Sequence, residues 1–421
     1  MTHTRCTSAG IIAASLAAAG LVACSTTPAD PGPLQSLPRD LTVSESELVR
    51  SGNGFGLALF RELTAARDGE NVIVSPLSAY MALGMTRNGA SGATLEEMKE
   101  VLQLSDLTSE DANESFLSLI TLLRGLDSYV DFEIANSIWY RDGFPAGQEF
   151  IQSSGQYFDA VVSALDFDDP GAPATINGWV EERTKGRITE LIGQIDPMDV
   201  MFLINAIYFK GDWERPFDPD RTRTESFTLA DGATVDVPMM QADDDFLHLE
   251  TESFQAVDLR YGRSAFCMTV VVPKGDHDLD DLIAQLDADS WASWVEGFEQ
   301  HRIVLGLPRF QLEWEATLNN QLQAMGMVDA FDEGRADFSR FIEPGAVLPG
   351  NLYVTEVKQK TFIDVNEEGT EAAAATSVGI GVTSMPPMIR ADRPFLFAIR
   401  ERFSGTVLFI GAVENPIAES E

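Results

Sequence analysis

Hydrophobic and polar positions alternate with two periods along this chain. From Ser46 to Ala66, Leu48, Val49, Phe55, Leu57, Leu59, Phe60 and Leu63 fall at mostly helical spacing, which predicts an amphipathic helix. Asn71-Val72-Ile73-Val74 reads as a short strand, and Ser75-Pro76 as an N-cap followed by proline at the first helical position. The helix begun there runs through Met85 and is apolar nearly all round, which predicts burial. Further helices are predicted at 94–103, 113–124, 147–157, 173–193, 279–286 and 315–325, and strands at 131–140, 200–210, 265–272, 302–310, 352–366 and 405–412. Helices and strands without strict β-α-β alternation predict an α+β fold with mostly antiparallel sheets.

The N-terminus has a different pattern. Met1 to Arg5 is a short, weakly basic stretch, and Ala9 to Ala23 is almost wholly Ala, Ile, Leu, Val and Gly. Such a run is short for a membrane span and suits a signal peptide at residues 1–23. It ends Leu21-Val22-Ala23-Cys24-Ser25, which resembles a bacterial lipobox with Cys24 as the lipidated residue; a plain secretory signal ending near a cysteine is the alternative. Residues 24–43 hold Pro28, Pro31, Pro33 and Pro38 among Ser, Thr, Asp and Gly, so a flexible tether is expected there. No second linker, repeat or composition break follows, and 44–421 reads as one large domain. An extracytoplasmic chain, lipid-anchored in the cell envelope or secreted, is the expected setting.

Composition narrows the function. The 421 residues carry 29 Lys plus Arg against 66 Asp plus Glu, a formal net charge of −37. So acidic a chain repels phosphate backbones and anionic lipid, so neither nucleic acid nor a membrane surface, beyond the anchor, is an expected partner. Three cysteines exclude a disulfide scaffold; Cys267, in an apolar run, reads as a packed thiol. No Cys-x-x-Cys or Cys/His cluster offers a metal site, and four histidines leave little material for His-based catalysis. Gly-x-Ser-x-Gly, His-Glu-x-x-His and Gly-x-x-x-x-Gly-Lys are all missing from the sequence. The Gly-rich stretch 51–56 follows no strand, so it is not read as a nucleotide loop. Asp276, Asp278, Asp280 and Asp281 lack the glycine and distal glutamate of a calcium loop and read as solvated helix caps. The triplet Asp243-Asp244-Asp245 reads as surface. The expectation is a binding protein without catalytic residues, metal or cofactor.

One segment fits neither core nor ordinary loop. Between Glu371 and Arg390 lie 18 residues without a charge, in a densely acidic chain. At period two, Thr370, Ala372, Ala374, Thr376, Val378, Ile380 and Val382 form one face, and Glu371, Ala373, Ala375, Ser377, Gly379 and Gly381 the other. Yet Gly369, Gly379, Gly381 and Pro386-Pro387 are loop chemistry. The pattern suits a segment that is a loop in one state and a strand in another.

Glu367-Glu368-Gly369-Thr370-Glu371-Ala372-Ala373-Ala374-Ala375-Thr376 resembles the hinge of the serpin reactive-centre loop. The resemblance extends over the domain: 71–78 resembles the family's second-helix entry, and Asn205 to Phe217 its central-sheet strand. Asn177-Gly-Trp-Val, Thr184 to Ile188, Leu307 to Phe310, Ala336 to Ser339, Arg393 to Phe395 and Gly411 to Pro416 follow in the family's order. What this implies is about nine helices around three mostly antiparallel sheets, with an exposed loop at about 367–390. It also implies a suicide-substrate inhibitor of serine-type endopeptidases, in which loop cleavage is followed by strand insertion and covalent trapping. A non-inhibitory serpin-fold carrier is the alternative, and whether cysteine proteases are also trapped stays open.

By the family's spacing the scissile bond joins Thr383 and Ser384, with Ile380, Val382 and Met385 shaping specificity. A small uncharged Thr383 suits the shallow apolar pockets of elastase-like or subtilisin-like proteases. Ser75, Ser78, Asn205, Trp213 and Gln359 fall in the region where the sheet opens. Gln359 stands where many serpins have His; its amide can still bond groups such as Asn205 and Ser75, so altered pH sensitivity is expected without loss of function. Lys99 and Arg124 are isolated among acids in 90–140, so no heparin partner is expected. A monomer is expected.

Overall fold

The computed structural model describes residues 1, 32–65, 67, 69–348, 350–370 and 387–418. The chain divides into two units, Met1–Gly32 and Pro33–Glu421, and the second carries every element of the described residues. In chain order these are α1 (Val43–Ala65), β1 (Val72–Val74), α2 (Pro76–Arg87), α3 (Gly92–Val101), α4 (Ser109–Arg124), β2 (Val130–Arg141), α5 (Gln148–Phe158) and β3 (Val161–Leu165). There follow α6 (Ala172–Arg183), β4 (Met201–Asp212), β5 (Arg223–Thr228), β6 (Thr234–Glu250), β7 (Phe254–Tyr261), β8 (Phe266–Pro273), α7 (Leu279–Ala284) and α8 (Ala288–Glu296). The chain closes with β9 (Glu299–Pro308), β10 (Phe310–Thr317), α9 (Asn319–Ala324), β11 (Lys358–Val365), β12 (Gly369–Thr370), β13 (Met388–Arg390), β14 (Phe395–Glu401) and β15 (Val407–Val413).

Local chemistry sets the helix starts. Ser75 is extended and its Oγ accepts from the Ser78 amide, with Pro76 following. Asp278 and Asp281 form a reciprocal capping box at α7, as the capping reading of those aspartates required. Predicted helix 173–193 stops at Arg183, because Thr184 caps it and Lys185 and Gly186 take positive φ of 52° and 81°. Within predicted helix 315–325, residues 315–317 finish β10 and only Asn319–Ala324 is helical.

Nine strands form one sheet, in the order β1-β15-β14-β8-β7-β6-β9-β13 with β5 on β6, and six form the other, β10-β11-β12-β4-β2-β3. The seventeen-residue β6 pairs with β5, β7 and β9, so the three expected sheets are connected as two ladders. Pairing is antiparallel except between β13 and β9 and between β2 and β3. Asp243-Asp244-Asp245 lies inside β6, where Arg302 holds Asp243 at 2.9 Å and Arg215 pairs with Asp244; cross-strand cations make three consecutive acids tolerable in a strand. One core runs from α1 and α2 through both sheets, and a smaller one packs α6 on β2 and β4 around Trp139, Ile176 and Val180.

Within the expected tether 24–43, the described residues from Pro33 onward lie on the body. Leu34, Leu37 and Leu41 pack on the core, and the Leu34 amide donates to Arg263 O at 2.6 Å. Arg39 grips Glu45 with two bonds, at 2.7 and 2.6 Å, and Ser118 Oγ at 2.5 Å. The guanidinium holds the Glu45 carboxyl down at about 2, and Glu45 in turn caps α1 through the Thr42 amide. Residues 33–42 are a strap on the body. Among the described residues, no helix is long and apolar enough to cross a membrane.

Candidate functional site

Two clusters of polar contacts flank the six-stranded sheet where β12 enters it. The first is at the C-terminal end of β4. Val365 of β11 pairs with Thr370, while Gly369 and Thr370 pair with Asp212 and Gly211 of β4. β12 therefore stands between β11 and β4 as an antiparallel partner of both. Side-chain-free residues make this approach possible: a Cβ on Gly369 would lie 2.2 Å from Gly211 O and 2.7 Å from Asp212 Cα. Thr370 is 2% exposed, and its hydroxyl lies 2.7 Å from that of Tyr261. The Tyr261 ring stacks on Trp213, centroids 4.4 Å apart and planes 16° from parallel.

The chain leading to β12 is held at every step. Trp213 Nε1 donates to Asn366 O at 2.9 Å, Trp213 N to Glu368 O at 2.8 Å, and Phe217 N to Glu367 O at 2.8 Å. The Glu367 side chain is buried and accepts from Arg309 Nη2 at 2.5 Å and Thr222 Oγ1 at 2.7 Å. Burial opposes its ionisation, but these two donors outweigh it and hold the carboxyl below its usual range.

The second cluster lies at the N-terminal half of β4 and of β11. Gln359 is 6% exposed and its amide pairs twice with Ser75, accepting from the backbone N–H at 3.0 Å and donating to the carbonyl at 3.0 Å. Ser75 Oγ donates to Leu408 O at 2.7 Å, and Ser78 Oγ contacts Asn205 O at 3.5 Å. Asn205 Nδ2 donates to Asn136 Oδ1 at 2.8 Å, and Asn136 Nδ2 to Phe158 O at 2.6 Å. These bonds tie the start of α2 to both strands that border β12.

Most of the chain, these two clusters included, fits one family of molecules. The family model described as Serpin (serine protease inhibitor) matches residues 50–416. The chain belongs to the serpin family. Neuroserpin of Gallus gallus is 33% identical over 374 residues, covering 86% of this chain and 90% of the relative. The crystal structure of the thermophilic serpin tengpin in its native state superposes with a TM-score of 0.81 at 31% identity, covering 91% of this chain and 97% of that one. Human thyroxine-binding globulin in complex with thyroxine gives a TM-score of 0.81 at 28% identity, with 89% and 100% covered. Membership supports a protease-inhibitor type of function.

In this serpin the expected sheet-opening residues divide. Ser75, Ser78, Asn205 and Gln359 meet around the start of α2, but Gln359 bonds Ser75 and not Asn205, which is engaged by Asn136. Trp213 does not belong with them. It lies eight residues beyond Asn205, about 26 Å along an extended strand, and packs at the hinge. Hinge residues Glu367, Glu368, Gly369 and Thr370 are placed as a unit; Glu371, Ala372, Ala373, Ala374, Ala375 and Thr376 lie outside the described residues, as do Ile380, Val382, Thr383, Ser384, Met385 and Cys24. Beyond the loop, Pro387 O accepts from Val304 N at 2.9 Å, β13 runs parallel to β9, and Arg390 pairs with Glu225. Tyr261, Arg309, Thr222 and Asn136 complete the two clusters; only Arg309 lies in a stretch that resembles the family, and each meets its partner across a long stretch of chain.

Proposed function

We propose that this serpin inhibits serine-type endopeptidases of elastase-like or subtilisin-like specificity as a suicide substrate, offering the Thr383–Ser384 bond. The protease serine attacks the Thr383 carbonyl, the amine of Ser384 leaves, and Thr383 remains as an ester on the enzyme. The freed upstream segment then continues β12 as a strand between β11 and β4, carrying the protease with it. Ordering that segment costs about 1–2 kcal/mol per residue; ladder hydrogen bonds offset it at about 0.5–1.5 kcal/mol each, up to two per residue. The inward side chains after Thr370 are small or aliphatic, so burial favours entry.

The observation that carries this reading is the seat of Gly369-Thr370 between β11 and β4. Incubation with elastase or subtilisin is expected to give an adduct that survives SDS, with trypsin giving little or none. Mass spectrometry should find the new N-terminus at Ser384. Turnover of the chain without any adduct would defeat the proposal. The likeness to a thyroxine-bound globulin supports a second reading, a carrier of small apolar ligands. Cleavage separates the two: insertion raises the melting temperature of the cut serpin, whereas a carrier that does not insert shows no gain.

We further propose that the protein acts outside the cell, held by lipid on Cys24. The motif Leu21-Val22-Ala23-Cys24 supports it. Mass spectrometry of the mature N-terminus should show an acylated Cys24, and an unmodified terminus at another residue would reject the anchor.

A further inference from the structure

Two of the chain's four histidines meet on one sheet face, far from each other in sequence. In the β6–β9 ladder His248 stands opposite Glu299 and Phe246 opposite His301. Residues directly opposite share a face, and so do residues two apart on one strand. His248, Glu299 and His301 therefore point to the same side. The two imidazole rings are 5.7 Å apart between centroids and nearly perpendicular, at 85°.

The polar atoms of this group are poorly used. His248 is 7% exposed, and its Nε2 is buried without a hydrogen-bond partner, an arrangement that loses hydration and gains nothing in return. His301 Nε2 and Glu299 Oε2 are 3.6 Å apart, beyond a hydrogen bond. The neighbouring Glu250 carboxylate is occupied by Lys274. By contrast the side chains of His301 and Glu299 are 50% and 81% exposed, free to turn about their χ angles.

We propose that His248, His301 and Glu299 bind a late first-row transition metal of the Zn2+ class, with water completing the shell. Two imidazoles and one carboxylate match the ligand preference of Zn2+. As the side chains stand, no three His, Cys, Asp or Glu of the described residues are placed to hold a metal ion; the site requires the two exposed members, His301 and Glu299, to rotate toward His248. Sequence spacing alone does not reveal such a cluster, because His248 and His301 are 53 positions apart and meet only through cross-strand pairing. A metal here would staple β6 to β9, and the C-terminal half of β9, Val304 to Gly306, holds the return strand β13.

The test uses full-length protein stripped with EDTA. Equimolar ZnCl2 is expected to raise the unfolding midpoint, and calorimetric titration to give one Zn2+ per chain. Co2+ should show visible ligand-field bands of a nitrogen-bearing site. His301→Ala and Glu299→Gln, both at exposed positions, should fold normally and weaken Zn2+ binding at least about tenfold. MgCl2 serves as the control for scattered carboxylates and should leave the midpoint unchanged. Absence of a Zn2+-dependent shift, a shift that Mg2+ reproduces, or one that persists in His301→Ala would each overturn the site.

Discussion

Thr370→Arg is expected to turn the inhibitor into a substrate: mixed with elastase, the variant should yield cleaved chain and active protease in place of an SDS-stable adduct. Thr370 is 2% exposed, and its hydroxyl meets Tyr261, whose ring is closed in by Trp213 and by Phe209 at 5.0 Å. The described groups that meet this hydroxyl and ring, Tyr261, Trp213 and Phe209, are aromatic and offer a guanidinium no counter-charge. An uncompensated buried charge costs several kcal/mol, and every 1.4 kcal/mol is a factor of ten between competing outcomes. In the proposed mechanism insertion and hydrolysis of the acyl-enzyme compete on one intermediate, so the adduct should fall below about a tenth of the wild-type yield. Thr370→Val, close in volume and uncharged, should retain most of it. A Thr370→Arg variant that still traps protease at the wild-type ratio would mean that trapping does not depend on an uncharged side chain at this rung of the sheet.

The second large effect is on folding. Asp258→Ala is expected to cost about 3–5 kcal/mol of stability, the loss that follows when a buried ion pair is broken by removing one partner. Arg400 on β14 and Asp258 on β7 pair across the intervening β8, with side chains 3% and 1% exposed. Thr269 on β8 completes the bolt: Arg400 Nε donates to its hydroxyl at 3.0 Å, and the hydroxyl donates to Asp258 Oδ1 at 2.6 Å. Burial works against the Arg400 charge, yet the facing carboxylate more than offsets it and raises the guanidinium further. Without Asp258 the cation has no such partner. Urea unfolding monitored by tryptophan fluorescence should show the lower midpoint, and Asp258→Leu combined with Arg400→Met should recover most of it. Equal midpoints for the wild type and Asp258→Ala would show that the ion pair contributes nothing net.

What the sequence disclosed follows from the range of the interactions concerned. Helix starts were readable because a cap and its amide lie within one turn, as at Ser75–Ser78 and Asp278–Asp281. The hinge was readable because its small residues and glycines are contiguous. Its socket was not: Tyr261, Arg309 and Thr222 reach the hinge over 109, 58 and 145 residues. β6 was hidden by its own acids, since Arg302 neutralises Asp243 from 59 residues away. The strap is not legible in the sequence, because proline-rich composition indicates only that regular structure is broken; Leu34, Leu37 and Leu41 still find the core. Trp213 and Asn205 share one sequence motif, yet Trp213 follows the last residue of β4 while Asn205 sits in its first half, and the two serve different neighbourhoods.

The seat of β12 has a kinetic consequence. In forming a strand the slow event is bringing a leading end to its neighbours against chain entropy, and each later residue adds at little further cost. Here two rungs, Gly369 and Thr370, are laid before any protease arrives. On the proposed mechanism, the race after cleavage would then have no search phase. Its pace would be governed downstream, by how readily Gln359 and Asn205 loosen their hold on the start of α2 as the advancing ribbon reaches them.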